Sequence, residues 1–176
     1  MSTVATRPAL KSGIDDTVFI CDAGSGIREL GKDLLSRDPM PKDLHLFITH
    51  THWDHIQGFP FFNPAHIRDC RIHLYSAGDG DNSRYALLSG QMSSAYFPVT
   101  FGDLQAEIIS KSLNGEKKID GVKVKSVPTN HPGGCFGYTF EKGGKRIAYI
   151  TDNELEIADD VEFPDNGNTG QHREAP

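Results

Sequence analysis

Four side chains able to bind a metal fall within six residues, His50-Thr51-His52-Trp53-Asp54-His55, directly after an apolar run from Leu44 to Thr49. The run reads as a buried strand. In extended chain His50 and His52 project to the same side, because side chains alternate with a period of two. The chain then turns, and Asp54 and His55 aim at a second, adjacent point. Imidazole and carboxylate suit zinc and its neighbours, held in tetrahedral array at ~2.0–2.2 Å. One ion cannot comfortably take all four groups, so the spacing favours two ions side by side, as in two-metal hydrolytic sites. A solvated rim of surface histidines is the plain alternative, and a cluster this dense against an apolar strand argues against it.

The rest of the chain alternates short apolar segments with turns. Val18–Cys21 reads as a strand that ends at Asp22-Ala23-Gly24-Ser25-Gly26, and Ile27, Leu30 and Leu34 then take helical spacing up to Asp38-Pro39. Residues 59–64 are apolar but poor in helix formers. Arg71–Tyr75, Ala106–Ser110, Val122–Val127, Phe136–Phe140 and Ile147–Thr151 read as further strands, with a hairpin loop over Glu141–Lys145. Residues 1–16 are expected to be loose, 17–158 to form one domain, and 159–176 to be a disordered polar tail. Gly24-Ser25-Gly26 lacks the third glycine and the lysine of a nucleotide loop.

The histidine cluster resembles the His-x-His-x-Asp-His signature of the metallo-β-lactamase superfamily. Asp22-Ala23-Gly24 is similar to that family's upstream Asp-x-Gly turn. His131 in Asn130-His131-Pro132-Gly133-Gly134 and Asp152 in Tyr149-Ile150-Thr151-Asp152 stand where the family places its next histidine and its bridging aspartate. Trp53–Phe62 and Gly90-Gln91-Met92-Ser93 resemble the phosphodiesterase and ribonuclease Z branch. The resemblance implies an α/β fold, the αββα sandwich. It implies that His50, His52 and His131 hold a first metal, that Asp54 and His55 hold a second, and that Asp152 bridges them. Asp22 would orient the histidine loop through hydrogen bonds. Taken alone, His131 could be a loop residue, Asp152 a helix N-cap and Asp22 a turn former. His45, His66 and His73 fall outside the pattern and read as structural or surface groups, and Cys135 as a small buried thiol. Trp53 either walls the pocket or simply packs.

The family pattern also contains a last histidine on a later strand. After Asp152 this sequence offers only His172, in a polar tail with no strand before it. The second half of the sandwich is therefore expected to be incomplete, with the second metal one ligand short and the exposed sheet edges favouring a homodimer.

The expected activity is metal-dependent phosphodiester hydrolysis at two divalent ions, zinc first, with manganese and iron also accepted by these ligands. The nucleophile would be a hydroxide formed from a bridging water that Asp54 orients or deprotonates. A lactone, thioester or β-lactam substrate on the same fold is one alternative. A non-catalytic metal-binding or nucleotide-sensing module is another. The formal net charge of −6 and the lack of any Lys/Arg run longer than two point away from long nucleic acid and towards a small phosphodiester such as a cyclic nucleotide. Three cysteines without paired spacing imply no disulfide framework, and no apolar run suits a signal peptide or a membrane span, so a cytoplasmic protein is expected.

Overall fold

A computed structural model describes residues 17–78, 86 and 88–154. The expectations for the loose N-terminus, for the tail with His172 and for a helical turn over Tyr85–Leu88 fall wholly or partly outside these residues.

Four strands, β1 (Val18–Cys21), β2 (Asp43–Ile48), β3 (Arg71–Ser76) and β4 (Glu107–Ser112), form a parallel sheet in that order. Parallel strands covered on both faces read as unbroken apolar runs. Hence every residue of β1, and every residue of β2 after Asp43, is buried. One face of this sheet, carrying Val18, Ile20, Leu44, Leu46, Ile72 and Leu74, packs on helix α1 (Ile27–Leu35) through Ile27 and Leu34. Phe59, Phe62 and Ala65 complete that cover. They come from residues 59–66, where two short 3-10 turns stand in the stretch read as helix-poor. A 3-10 turn needs only a few residues and tolerates Pro60 and Pro64 near its start, so no helical periodicity announces it.

The second sheet is antiparallel, in the order β5 (Glu116–Ile119), β6 (Val122–Thr129), β7 (Cys135–Lys142), β8 (Lys145–Tyr149). Tight two-residue turns close two of its hairpins. Asp120-Gly121 (φ 45° and 77°) and Gly143-Gly144 (φ 58° and 74°) adopt the left-handed conformations that match strand twist. Strand β6 alternates buried and exposed residues over Val122–Ser126, as a half-covered strand should. Its inner face meets the first sheet in a second core of Phe19, Phe47 and Tyr75 against Val122, Val124, Tyr138 and Phe140. Among the described residues the helices all lie on the first sheet, giving three layers, α, β and β. Cys21, Cys70 and Cys135 are buried free thiols. No helix of the described residues is long and apolar enough to cross a membrane.

Candidate metal centre

Four chain segments reach the same end of the sandwich. Strand β1 delivers Asp22, β2 delivers Thr49 and His50, β6 leads into His131, and β8 leads into Asp152. The carbonyl of Ile48 accepts a bond from Tyr138 Oη (2.8 Å), and Thr49 O accepts one from Phe136 N (3.1 Å). These bonds tie the end of β2 to β7 in the facing sheet. Asn130, beside His131, is clamped to the segment after Asp152: its N–H bonds Asn153 Oδ1 (3.0 Å), its amide donates to Glu154 O (3.1 Å), and Glu154 N bonds its carbonyl (2.7 Å). Asp22 and Asp152 both have left-handed backbones, φ 59° and 45°. That conformation is uncommon outside glycine, aspartate being among the residues that tolerate it best, and strained backbones cluster at functional sites. At Asp152 it differs from the extended backbone typical of a helix N-cap.

Between β2 and β6 the histidine segment folds over the β1 turn. Ala23 N bonds His55 O (2.7 Å) and Gly58 N bonds Ala23 O (2.8 Å), so α2 (Trp53–Ile56) lies against Asp22-Ala23-Gly24. A Cβ on Gly24 would collide with the carbonyl of Asp54, and one on Gly58 with the carbonyl of Gly24. Both glycines are needed for this approach.

The side chains brought together are His50, His52, His131 and Asp152, whose ligand atoms all lie within 4.8 Å of one another. His50 Nε2 is 3.0 Å from His52 Nδ1 and 3.2 Å from Asp152 Oδ2, and His131 Nε2 is 3.1 Å from His52 Nδ1 and 4.0 Å from Asp152 Oδ2. Tetrahedral ligands ~2.1 Å from one ion stand roughly 3.4 Å apart, so this spacing fits a single metal. His55 Nε2 is buried and makes no hydrogen bond, yet lies 3.1 Å from Asp152 Oδ2 and 3.5 Å from Asp54 Oδ2. A buried nitrogen left without a hydrogen bond beside two carboxylates is what a ligand poised for a cation looks like. All six residues singled out as metal ligands therefore stand at one end of the molecule, and the donor set fits divalent metal. Glu154 Oε1, 3.5 Å from His131 Nδ1, joins them from outside the motif.

Asp22 is fully buried and serves as the hub. It accepts bonds from Thr49 N (2.8 Å), Thr49 Oγ1 (3.0 and 2.9 Å to its two oxygens), His55 Nδ1 (2.8 Å) and Tyr149 Oη (3.2 Å). The plain turn-former reading of Asp22 does not account for these contacts. Thr49 and Tyr149 carry no motif of their own, and their part was not legible from the sequence. Tyr149 stands only three residues before Asp152, which was the one available hint.

Electrostatics separate the two buried imidazoles. Burial, then the nearby His55 and His52, push His50 from its ordinary 6.5 down to about 4, against the pull of Asp152 and Asp22. Burial also acts against the charged form of His55, but the Asp22 hydrogen bond and the charges of Asp22, Asp54 and Asp152 outweigh it and leave His55 raised. Burial, and then Asp22, push the Tyr149 hydroxyl far up, so it remains a donor. The buried Cys135 thiol is raised chiefly by burial and sits 3.6 Å from His50 Nδ1.

Among the described residues, His45, His66 and His73 stand apart from this cluster. His45 lies 3.1 Å from Tyr75 Oη and 3.0 Å from Asp120 Oδ2, stacks on Phe19 and His73, and His66 Nε2 donates to Pro60 O at 2.9 Å. A cavity of about 570 Å³ opens beside His45, at the opposite end of the sheets, and none of the converging donors line it. Trp53 is 61% exposed, so packing does not explain it.

The fold and the site define a two-sheet α/β protein with a histidine–carboxylate cluster, fit to hold a metal, at the strand ends. Residues 17–162 match the family described as the Beta-lactamase superfamily domain, and the chain belongs to that family, with the metallo-β-lactamase fold. Ribonuclease Z of Pyrococcus horikoshii is 28% identical over 143 residues, covering 79% of this chain and 43% of the relative. Human tRNase Z, short form, superposes with a TM-score of 0.57 at 16% identity, over 88% of this chain and 66% of that one. The metallo-β-lactamase fold protein YhfI of Bacillus subtilis gives 0.55 at 15% identity, over 80% and 52%. The chain thus spans less than half the length of the curated relative.

Proposed function

We propose that this chain is a metal-dependent phosphodiesterase built on a dinuclear centre, with His50, His52 and His131 on one ion, Asp54 and His55 on the other, and Asp152 between them. The observation that carries this reading is the position of Asp152 Oδ2, 3.2 Å from His50 Nε2 and 3.1 Å from His55 Nε2. One carboxylate oxygen thus borders both donor groups. When bound, a pair of divalent ions would acidify a water and neutralise charge on the phosphoryl oxygens.

The chain's own residues supply the rest. Asp22 holds the proton of His55 at Nδ1, leaving Nε2 free to face the site. Asp54, with its side chain 60% exposed, is the carboxylate open to solvent and placed to orient the attacking water and take its proton. Burial of His50 and His55 keeps water from competing at the inner donors.

As to substrate, the relatives' names redirect the expectation drawn from charge. Ribonuclease Z and tRNase Z are named for RNA, which favours an RNA phosphodiester over the small molecule inferred from the acidic balance. Bound cations reverse the local field whatever the net charge, so −6 is no obstacle. The test is hydrolysis of a chromogenic phosphodiester and of a structured RNA, with zinc or manganese. Activity lost in His52→Ala supports the reading, and unchanged turnover in that variant defeats it.

A further inference from the structure

We propose that Thr49 is a positioning residue that fixes the tautomer of His50, relaying the negative charge of Asp22 to an imidazole that Asp22 does not touch. The inference deepens the metal-site reading above and rests on it. A neutral imidazole carries one N–H, and the partner of the other nitrogen decides which nitrogen is left to bind a metal. His55 has a direct partner in Asp22. His50 has none, and its Nδ1 points instead at Thr49 Oγ1, 3.1 Å away.

The direction of that bond follows from the hydroxyl's single hydrogen. Thr49 Oγ1 lies 2.9 and 3.0 Å from the two oxygens of Asp22, which as a carboxylate can only accept. The hydroxyl hydrogen therefore goes to Asp22, and the Thr49 oxygen faces His50 as an acceptor. His50 must then hold its proton at Nδ1, leaving the Nε2 lone pair towards His52, Asp152 and the cation. Without the hydroxyl, the strongest acceptor near His50 is Asp152 Oδ2, 3.2 Å from Nε2. The proton would move to Nε2, the nitrogen that has to be bare. The Cys135 thiol, 3.6 Å from Nδ1, is too weak an acceptor to hold it back. A single buried carboxylate thus sets the tautomers of two histidines, one directly and one through a hydroxyl.

The test reads the tautomer before any metal is added. In metal-free protein labelled with ¹⁵N-histidine, long-range ¹H–¹⁵N correlations should show His50 protonated at Nδ1. Thr49→Val should move the proton to Nε2 and weaken zinc binding by about 10–100-fold, the range for outer partners of metal-binding histidines. Thr49→Ser, which keeps the hydroxyl, should restore both. Wild-type His50 protonated at Nε2 would overturn the proposal, as would Thr49→Val with an unchanged tautomer. Should the valine variant not fold, Cys135→Ala decides: an unaltered tautomer supports Thr49, and a shifted one transfers the role to the thiol. A protein with Nδ1–H on His50 that binds no zinc would sink the metal reading and leave the relay standing.

Discussion

Asp22→Asn is the substitution whose cost the structure sets out most fully. The carboxylate is 0% exposed and serves donors from three segments: Thr49, His55 Nδ1 at 2.8 Å and Tyr149 Oη at 3.2 Å. Asparagine has one oxygen. If that oxygen keeps the bonds to Thr49, its NH2 must face the N–H of His55 and the hydroxyl of Tyr149. Two hydrogen bonds to a charged acceptor are then lost, at about 1.5–3 kcal/mol each, or about 3–6 kcal/mol together. Typical domains have about 5–15 kcal/mol in total, so the loss should be plain. With a urea slope of about 2 kcal/mol per M, it lowers the unfolding midpoint by at least about 1.5 M. The assay is urea unfolding followed by circular dichroism, with chelator present so that metal does not mask the effect. A midpoint within about 0.3 M of wild type would refute the hub role of Asp22.

Further outcomes follow from the same geometry. Gly58→Ala drives a methyl into the Gly24 carbonyl and to 2.8 Å from Ile27 Cγ2; it should cost about 1–3 kcal/mol or more in urea unfolding, whereas Gly102→Ala, whose Cβ would meet nothing nearer than 3.9 Å, should be nearly neutral. In metal-free protein the depressed His50 favours the fold above its ordinary 6.5, and this stability drains away as pH falls towards about 4, a loss of roughly 3 kcal/mol if unopposed. The raised His55 works in the opposite sense, stabilising fully below the unfolded value and losing that contribution as pH rises through its folded value. Unfolding free energies of wild type and His50→Gln at pH 7 and 4.5 check the first of these: the variant should lose less on acidification, and parallel losses would contradict it. Tyr149→Phe removes one Asp22 donor and should lower stability by about 1.5–3 kcal/mol, and an unchanged unfolding midpoint would contradict that.

Some of this architecture is plain from the residues alone, for physical reasons. Strand β1 and nearly all of β2 are buried on both faces and β3 is buried over most of its length, so their composition is largely apolar, and Val18–Cys21, Leu44–Thr49 and Arg71–Tyr75 fall within two residues of the observed limits. Strand β5, Glu-Lys-Lys-Ile, buries only Ile119, and its charged residues conceal it from any hydrophobic pattern. The His50–His55 cluster declares itself by density. His131 and Asp152 do not: each is one polar residue after a strand, and only the family resemblance singled them out. The positions of Thr49 and Tyr149 around Asp22 depend on how two sheets face each other, which no local pattern encodes. Net charge carries little about substrate, because a global sum says little about the field at a metal centre.

Zinc stoichiometry, measured by elemental analysis after equilibration and by calorimetric titration of metal-free protein, addresses the convergence of these donors most directly. Two ions per chain are expected, the second held more weakly because its ligand set is one short, with occupancy falling in His131→Ala and Asp152→Ala although both lie some eighty or more positions from the His50–His52 pair. A wild-type chain that retains no zinc, or one whose binding ignores both substitutions, would contradict that expectation.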